Sequence, residues 1–319
     1  MNEEDTSRST ALVPIEDQPR VDPVRLLRGR FQLTAEIGRG GLSRVFKARD
    51  MVAVQAGLAD PYVALKLIAA GKDTNPDMIA LMHREARRLR DLVHPNIVRV
   101  YDMDAERRLH FMIMEYLQGQ SLSHMLRNAQ GHQLAVSTVD RLIAKIGAAL
   151  EFAHSKGIIH ADLKPGNVFL ETSGGIKLID FNIAYPVARP MKTREEDTVA
   201  ILGRLGALTP AYASPQRLTG AEPSTGDDVF SLGVITYLAL TGNRPYGPGG
   251  AEVAAKAEQT PVRPEGLSGQ RWRALSRAIS LDDGTRTSSA AQFVRDFAGG
   301  PFRMFSGWRP NIVRIRSAG

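Results

Sequence analysis

A glycine run and five polar residues in this 319-residue chain have types and spacings that could do chemistry. The run Ile37-Gly38-Arg39-Gly40-Gly41-Leu42-Ser43-Arg44-Val45 lies between two short alternating apolar stretches. Glycines in such a place let main-chain N–H groups approach a phosphate with no Cβ in the way. Lys66 closes the stretch Val63-Ala64-Leu65, and Glu85 follows on a helical pattern. An ion pair between the two would hold the ammonium against the α and β phosphates of a nucleotide. Farther on, His160-Ala161-Asp162-Leu163-Lys164-Pro165-Gly166-Asn167 is followed by Asp180-Phe181-Asn182. Phosphoryl transfer from ATP needs backbone donors over the phosphates, a cation on them, oxygens that hold a metal, and a carboxylate to orient the attacking hydroxyl. All four occur here in chain order. Taken singly each has a plainer reading: a glycine-rich hairpin, an edge lysine, a solvated helix face among Arg84, Arg87 and Arg88.

The elements that must carry these residues are legible in the apolar periodicity. Phe31-Gln32-Leu33, Arg44-Val45-Phe46-Lys47 and Val63-Ala64-Leu65-Lys66 alternate between glycines, as an antiparallel sheet does. Asn75-Pro76 reads as the start of a helix on which Ile79, Met82, Ala86, Leu89 and Val93 recur. Ile97 to Val100 and Leu109 to Met114 have strand length, and beyond Gly119 the pattern turns helical. Ser137 with Asp140 forms a capping box before Leu142, Ile143, Ile146, Leu150 and Phe152, and Gly157 stops that helix. A second box, Thr225 with Asp228, opens a helix to Gly242, and Ser288 or Ser289 caps a last one ending near Ala298. These readings give a flexible leader over 1–30, an ordered body over 31–299 with lobes 31–117 and 118–299, and a basic tail over 300–319.

The run from His160 to Asn167, followed by Asp180-Phe181, resembles the protein kinase family, as do the glycine loop and Val63-Ala64-Leu65-Lys66. The resemblance extends to His94-Pro95-Asn96-Ile97-Val98, Met114-Glu115-Tyr116-Leu117, Thr209-Pro210-Ala211-Tyr212 and Asp228-Val229-Phe230-Ser231-Leu232-Gly233, and is closest to bacterial serine/threonine kinases of the eukaryotic-like (Hanks) type. It implies an α+β, bilobal protein kinase-like fold: a small antiparallel β lobe with one main helix, and a larger, mainly helical lobe. It implies ATP and Mg²⁺ as cofactors and proteins as substrates. Asp162 would orient the substrate hydroxyl, Lys164 support the γ-phosphate, and Asn167 and Asp180 hold Mg²⁺. Lys66 and Glu85 would form the phosphate-binding pair. Ile37, Gly38, Gly40 and Gly41 would cover the nucleotide; Val45, Ala64 and Phe169 would sandwich adenine; and the main chain of Glu115 and Leu117, after the gatekeeper Met114, would meet its edge. His160 reads as a packed structural histidine, and Asp228 as a helix cap that also bonds the loop of Asp162.

Four departures from the family pattern stand out. Ser43 replaces the third loop glycine. Ala161 replaces an arginine that often pairs with an activation-loop phosphate, so activation through Thr193 or Thr198 would lack its usual charge partner. Asn182 replaces a glycine. Gln216, in Ser214-Pro215-Gln216, replaces a glutamate whose partner would be Arg286, which predicts a looser docking segment.

The departures at Ala161, Asn182 and Gln216 motivate an alternative, a pseudokinase that binds ATP as a scaffold, against which stand Lys66, Glu85, Asp162, Asn167 and Asp180, all present. A small-molecule kinase is disfavoured by the Thr209 to Gln216 segment. With no cysteine, disulfides, thiolate zinc sites and cysteine nucleophiles are excluded, and a reducing, cytoplasmic location is the simplest expectation. A net charge of +7 is carried by scattered arginines rather than a basic band, so no nucleic acid partner is expected. No apolar run is long enough to span a bilayer, and the acidic start is unlike a signal peptide. Without a sensor segment of its own, the chain is expected to receive its input from an unidentified regulatory partner.

Overall fold

The computed structural model describes residues 26–39, 43–69, 83, 86–87, 89–107, 109–128, 133–181, 185–186, 209–247 and 249–299. The chain divides into two compact units, one holding residues up to Ile79 with Met103–Ile113, the other holding Ala80–Asp102 and everything from Met114.

The first unit is built on an antiparallel sheet. Strands β1 (Leu26–Leu27), β2 (Phe31–Arg39), β3 (Arg44–Asp50) and β4 (Tyr62–Ala69) are joined by β5 (Val100–Glu106) and β6 (Leu109–Glu115) in the order β1-β2-β3-β4-β6-β5. The period-two alternation seen in the sequence puts Phe31, Leu33, Phe46, Ala48, Val63, Leu65 and Leu67 on one buried face with Phe111 and Ile113. Phe31 meets Phe111 edge to face, with ring centroids 6.1 Å apart. Within the span expected to be leader, Leu26 and Leu27 pair with Gln32 and Phe31 as an edge strand, Leu27 is 1% exposed, and Arg28 to Arg30 make the turn between the strands. Arg30 also grips Asp50 with two bonds of 2.8 and 2.6 Å, and Asp50 caps the short helix α1 (Met51–Gln55), which the sequence reading missed.

The second unit is mainly helical. Its spine is α3 (Val136–Ser155) and α5 (Thr225–Thr241), the latter buried nearly all round, packed with α7 (Gly269–Ala278) and α8 (Ala290–Ala298). Smaller pieces are α2 (Leu122–Asn128), α4 (Pro215–Leu218), α6 (Gly250–Lys256) and β8 (Ile158–Ile159), which pairs with β11 (Tyr185–Pro186). Strands β7 (Gly119–Ser121), β9 (Val168–Glu171) and β10 (Ile176–Leu178) form a three-stranded sheet in the order β10-β9-β7. Gly119, at φ 152°, lies so close to β9 that a Cβ there would sit 2.0 Å from the Leu170 carbonyl oxygen.

Several local expectations are corrected. The helix α3 begins at Val136 behind Ala135, whose methyl can cap nothing, and Asp140 instead pairs with Arg271 of α7 at 2.5 and 2.9 Å. The capping box of α5 is Ser224 with Asp227, one residue before the expected pair, because both oxygens of Asp228 are already committed to the main chain of residues 160 and 161. Ile97 makes a single parallel bridge to Leu178 rather than opening a strand. Of the helix expected from Asn75, residues 83, 86–87 and 89–90 are described and helical; Ala86 and Leu89 are buried, but Val93 lies past its end and is 56% exposed. Ser289 caps α8 and Gly299 ends it in the left-handed conformation, as expected.

Candidate active site

In the second unit the loop after β8 brings three of the singled-out residues together. Asp162 is 6% exposed. Its Oδ2 accepts from Lys164 Nζ at 2.6 Å and its Oδ1 from the Thr209 N–H at 3.3 Å, while Lys164 Nζ also donates to Thr209 Oγ1 at 2.8 Å. A carboxylate has about four lone-pair sites, so two bonds leave Asp162 able to accept a further hydroxyl. Asn167 ends a 3₁₀ turn over Pro165–Asn167, and its Nδ2 donates to the Asp162 carbonyl at 2.9 Å, which leaves its side-chain oxygen for a cation. The Asn167 carbonyl accepts from the Ile179 N–H at 2.9 Å, tying this loop to the segment that delivers Asp180. Asp180 has φ 55°, an uncommon backbone for a residue with a side chain. One carboxylate and one amide oxygen suit a hard, oxygen-seeking cation that keeps water and phosphate in its remaining positions.

The loop is fixed from below by Asp228 of α5, which is fully buried. Its oxygens accept from the His160 N–H and the Ala161 N–H, both at 2.9 Å, and from His154 Nε2 at 2.7 Å. Burial pushes the Asp228 carboxyl up, but the His154 bond and the charge and N–H contributions of the loop outweigh it and hold the group below the usual aspartate value. This grip keeps Ala161 at φ 63°. Asp228 therefore anchors the loop and leaves helix capping to Ser224 and Asp227. His160 is fully buried against Phe181, with ring centroids 4.6 Å apart, and burial lowers its imidazole below the ordinary histidine value, with Asp228 and Asp162 pulling the other way. The structural reading of His160 fits these contacts.

On the same unit, the Glu115 N–H is taken by the Arg99 carbonyl at 3.0 Å, so what its main chain keeps for a ligand is a carbonyl. Its side chain accepts from Lys177 Nζ at 2.6 Å and from the Arg99 N–H at 2.7 Å. Leu117 lies two residues beyond, and Phe169 alternates on β9 with the buried Val168 and Leu170.

In the first unit Lys66, 5% exposed, pairs across the sheet with Val45, which in turn pairs with Gly38; Ala64 is buried one alternation away, and Ile37 is 47% exposed. A Cβ on Gly38 would meet Val45 at an ordinary 3.5 Å, so nothing among the described residues of this unit demands a glycine there. Glu36 accepts from both Arg39 and Arg44 at the root of the glycine hairpin, and these bonds bring its carboxyl down to about 2. Gly40, Gly41, Glu85, Asn182, Thr193 and Thr198 lie outside the described residues.

Sequence reasoning did not assign Thr209, His154 or Lys177 to the site. Thr209 lies in the family-like segment Thr209-Pro210-Ala211-Tyr212, but its reach to Asp162 spans 47 positions and has no local signature.

The protein kinase domain family matches residues 31–296. The chain belongs to the protein kinase family. Among its relatives are the probable serine/threonine-protein kinase PknB of Lactococcus lactis, 31% identical over 75% of this chain and 36% of that protein, and the serine/threonine-protein kinase PknA of Mycobacterium tuberculosis, 32% identical over 75% of this chain and 53% of that protein. The serine/threonine-protein kinase Pkn1 of Myxococcus xanthus is 33% identical over 81% of this chain and 35% of its own length. The chain thus spans about a third to a half of the length of these kinases. The fold resembles that of the M. tuberculosis PknI kinase domain, with a TM-score of 0.64 at 19% identity, covering 87% of this chain and 98% of that one. These relatives are bacterial serine/threonine-protein kinases, a likeness that does not favour the pseudokinase alternative. Among the described residues no helix is long and apolar enough to cross a membrane.

Proposed function

We propose that this chain transfers the γ-phosphate of ATP to serine and threonine hydroxyls of proteins, itself among them, with Asp162 as the group that accepts the hydroxyl proton. The observation that carries this reading is the buried Asp162 carboxylate held between Lys164 Nζ at 2.6 Å and the Thr209 N–H at 3.3 Å. Two bonds orient it without exhausting its lone pairs, which leaves room to accept the hydroxyl proton as a base does. Lys164, 27% exposed at its side chain, balances charge at the transferred phosphoryl group. Thr209 closes the triangle and couples the catalytic loop to the segment that docks a polypeptide.

Asn167 and Asp180 are the residues assigned to Mg²⁺, which when bound neutralises the phosphate oxygens and the charge that develops on them. Lys66 is assigned to the α and β phosphates with Glu85 as its partner; Ile37, Gly38, Gly40 and Gly41 to the cover over them; Val45, Ala64 and Phe169 to the faces of adenine; and the main chain of Glu115 and Leu117 to its edge. The kinase domain spans 31–299 on this reading, between an N-terminal leader and a basic tail. A protein substrate, an as yet unidentified regulatory partner and a cytoplasmic setting complete it, the last in keeping with a cysteine-free chain.

The test is phosphoamino-acid analysis of the chain and of a generic basic protein after incubation with labelled Mg-ATP. Label on serine and threonine supports the assignment. Label on tyrosine alone contradicts it.

A further inference from the structure

The docking segment ends on Ser214-Pro215-Gln216, where the family resemblance predicts an acid and the chain has an amide. We propose that Asp227, in the first turn of α5, supplies the charge that Gln216 lacks and is the positioning residue that fixes the polypeptide-docking segment. This rests on the kinase reading above.

Arg286 carries a guanidinium whose side chain is only 2% exposed. It donates from Nε to the Ser280 carbonyl at 3.0 Å and from Nη2 to Gln216 Oε1 at 2.7 Å, and it lies 5.1 Å over the ring of Phe230. Those partners are neutral, and a buried cation satisfied by neutral groups alone is costly. Asp227 Oδ1 lies 3.7 Å from Nη1, while Asp282 and Asp283 act on the arginine less directly. The same carboxylate ties three pieces of chain together. Its Oδ1 accepts from Ser214 Oγ at 2.5 Å, its Oδ2 accepts from the Ser224 N–H at 2.7 Å and from Ser224 Oγ at 2.9 Å, and Arg286 faces it from the loop before α8.

The amide at Gln216 fits this arrangement. Its Oε1 faces Arg286 while its Nε2 donates to the Leu281 carbonyl at 2.8 Å. A glutamate in this pose would set a second anion against that carbonyl oxygen and forfeit the bond. Amide at 216 and acid at 227 are thus a matched pair: Gln216 joins two loops by hydrogen bonds, and Asp227 neutralises the arginine and holds Ser214.

The test is a cycle on the full chain with Asp227→Asn, Gln216→Glu and the double variant, with Ser214→Ala beside it. Unfolding midpoints are read without ligand, and KM is read for a peptide and for ATP. Asp227→Asn should lower the midpoint by about 8 °C and raise the peptide KM about tenfold, with the ATP KM within about twofold. Gln216→Glu alone should bring no gain in midpoint, yet in the Asp227→Asn background it should recover at least half of the loss. Ser214→Ala should raise the peptide KM and spare that for ATP. If Asp227→Asn does not fold, Gln216→Glu and Ser214→Ala decide. A higher midpoint for Gln216→Glu alone, strict additivity in the double variant, or an unchanged peptide KM in Ser214→Ala would overturn the proposal. Unfolding needs no phosphate transfer, so an inactive parent would count against the kinase reading while the midpoint cycle still decides the role of Asp227.

Discussion

Replacing Asp228 by asparagine changes one atom's chemistry at the base of the catalytic loop, and the cost follows from the bonds described. The carboxylate accepts from three donors: the N–H groups of His160 and Ala161, and His154 Nε2. An asparagine oxygen placed on the Ala161 N–H leaves its amide nitrogen facing His160 and His154, donor against donor. Two bonds to a charged acceptor are lost, at about 1.5–3 kcal/mol each. Relief from burying a carboxylate returns part of this, since burial works against the ionised group. A net loss of about 3 kcal/mol is expected, a large share of the roughly 5–15 kcal/mol that holds a domain together. It would appear as a fall of about 10 °C in the unfolding midpoint. Ala161, no longer held at φ 63°, would relax and carry Asp162 off its line, so kcat should fall by about a hundredfold or more. Chemical denaturation and steady-state transfer to a peptide measure both effects. A loss under about 1 kcal/mol with unchanged kcat would refute the anchoring role of Asp228.

Further outcomes are expected. Gly119→Ala should cost about 3 kcal/mol, because its Cβ meets the Leu170 carbonyl oxygen at 2.0 Å, whereas Gly38→Ala, with only a 3.5 Å contact to Val45, should leave the unfolding midpoint in place and raise the ATP KM; equal midpoints for the two variants would contradict this. Stability should fall as pH drops through and below 6.5: burial lowers His160 and His94 in the folded chain, so the unfolded chain takes up protons first, and a thermal midpoint flat from pH 7 to 5 would refute it. At the alkaline end burial pushes Tyr246 up to about 12, so its contribution is present below pH 10 and is lost as pH rises from there, an effect that Tyr246→Phe should remove from the denaturation profile.

How much of this was legible in the sequence depends on how local the cause was. Asp162, Lys164 and Asn167 meet through a loop of a few residues, and the resemblance of that short run to the kinase family singles them out. The sheet strands followed from alternation that packing did not override. What failed was decided by distant partners. Ser224-Thr225-Gly226-Asp227-Asp228 offers two overlapping capping boxes, and only the demand of residues 160 and 161 for Asp228 selects Ser224 with Asp227. Asp140 has the spacing of a cap residue, yet Arg271, 131 positions away, takes it. In the sequence Gln216 is a loss of charge at Arg286, and Asp227, which faces that arginine, lies in the first turn of a helix that starts one residue earlier than the Thr225–Asp228 box implies. Thr209 lies in a segment of family resemblance, but its bonds to Asp162 and Lys164 exist only in the folded chain.

The central claim, that Asp162 serves phosphate transfer, is met most directly by one comparison. Labelled γ-phosphate from Mg-ATP is offered to the chain and to a basic protein acceptor, with Asp162→Asn alongside and nucleotide binding followed by thermal shift. Incorporation by the parent, lost in Asp162→Asn while ATP still raises the midpoint of both, is the predicted result. Equal incorporation by the two proteins, or none by a parent that binds ATP, would contradict the account.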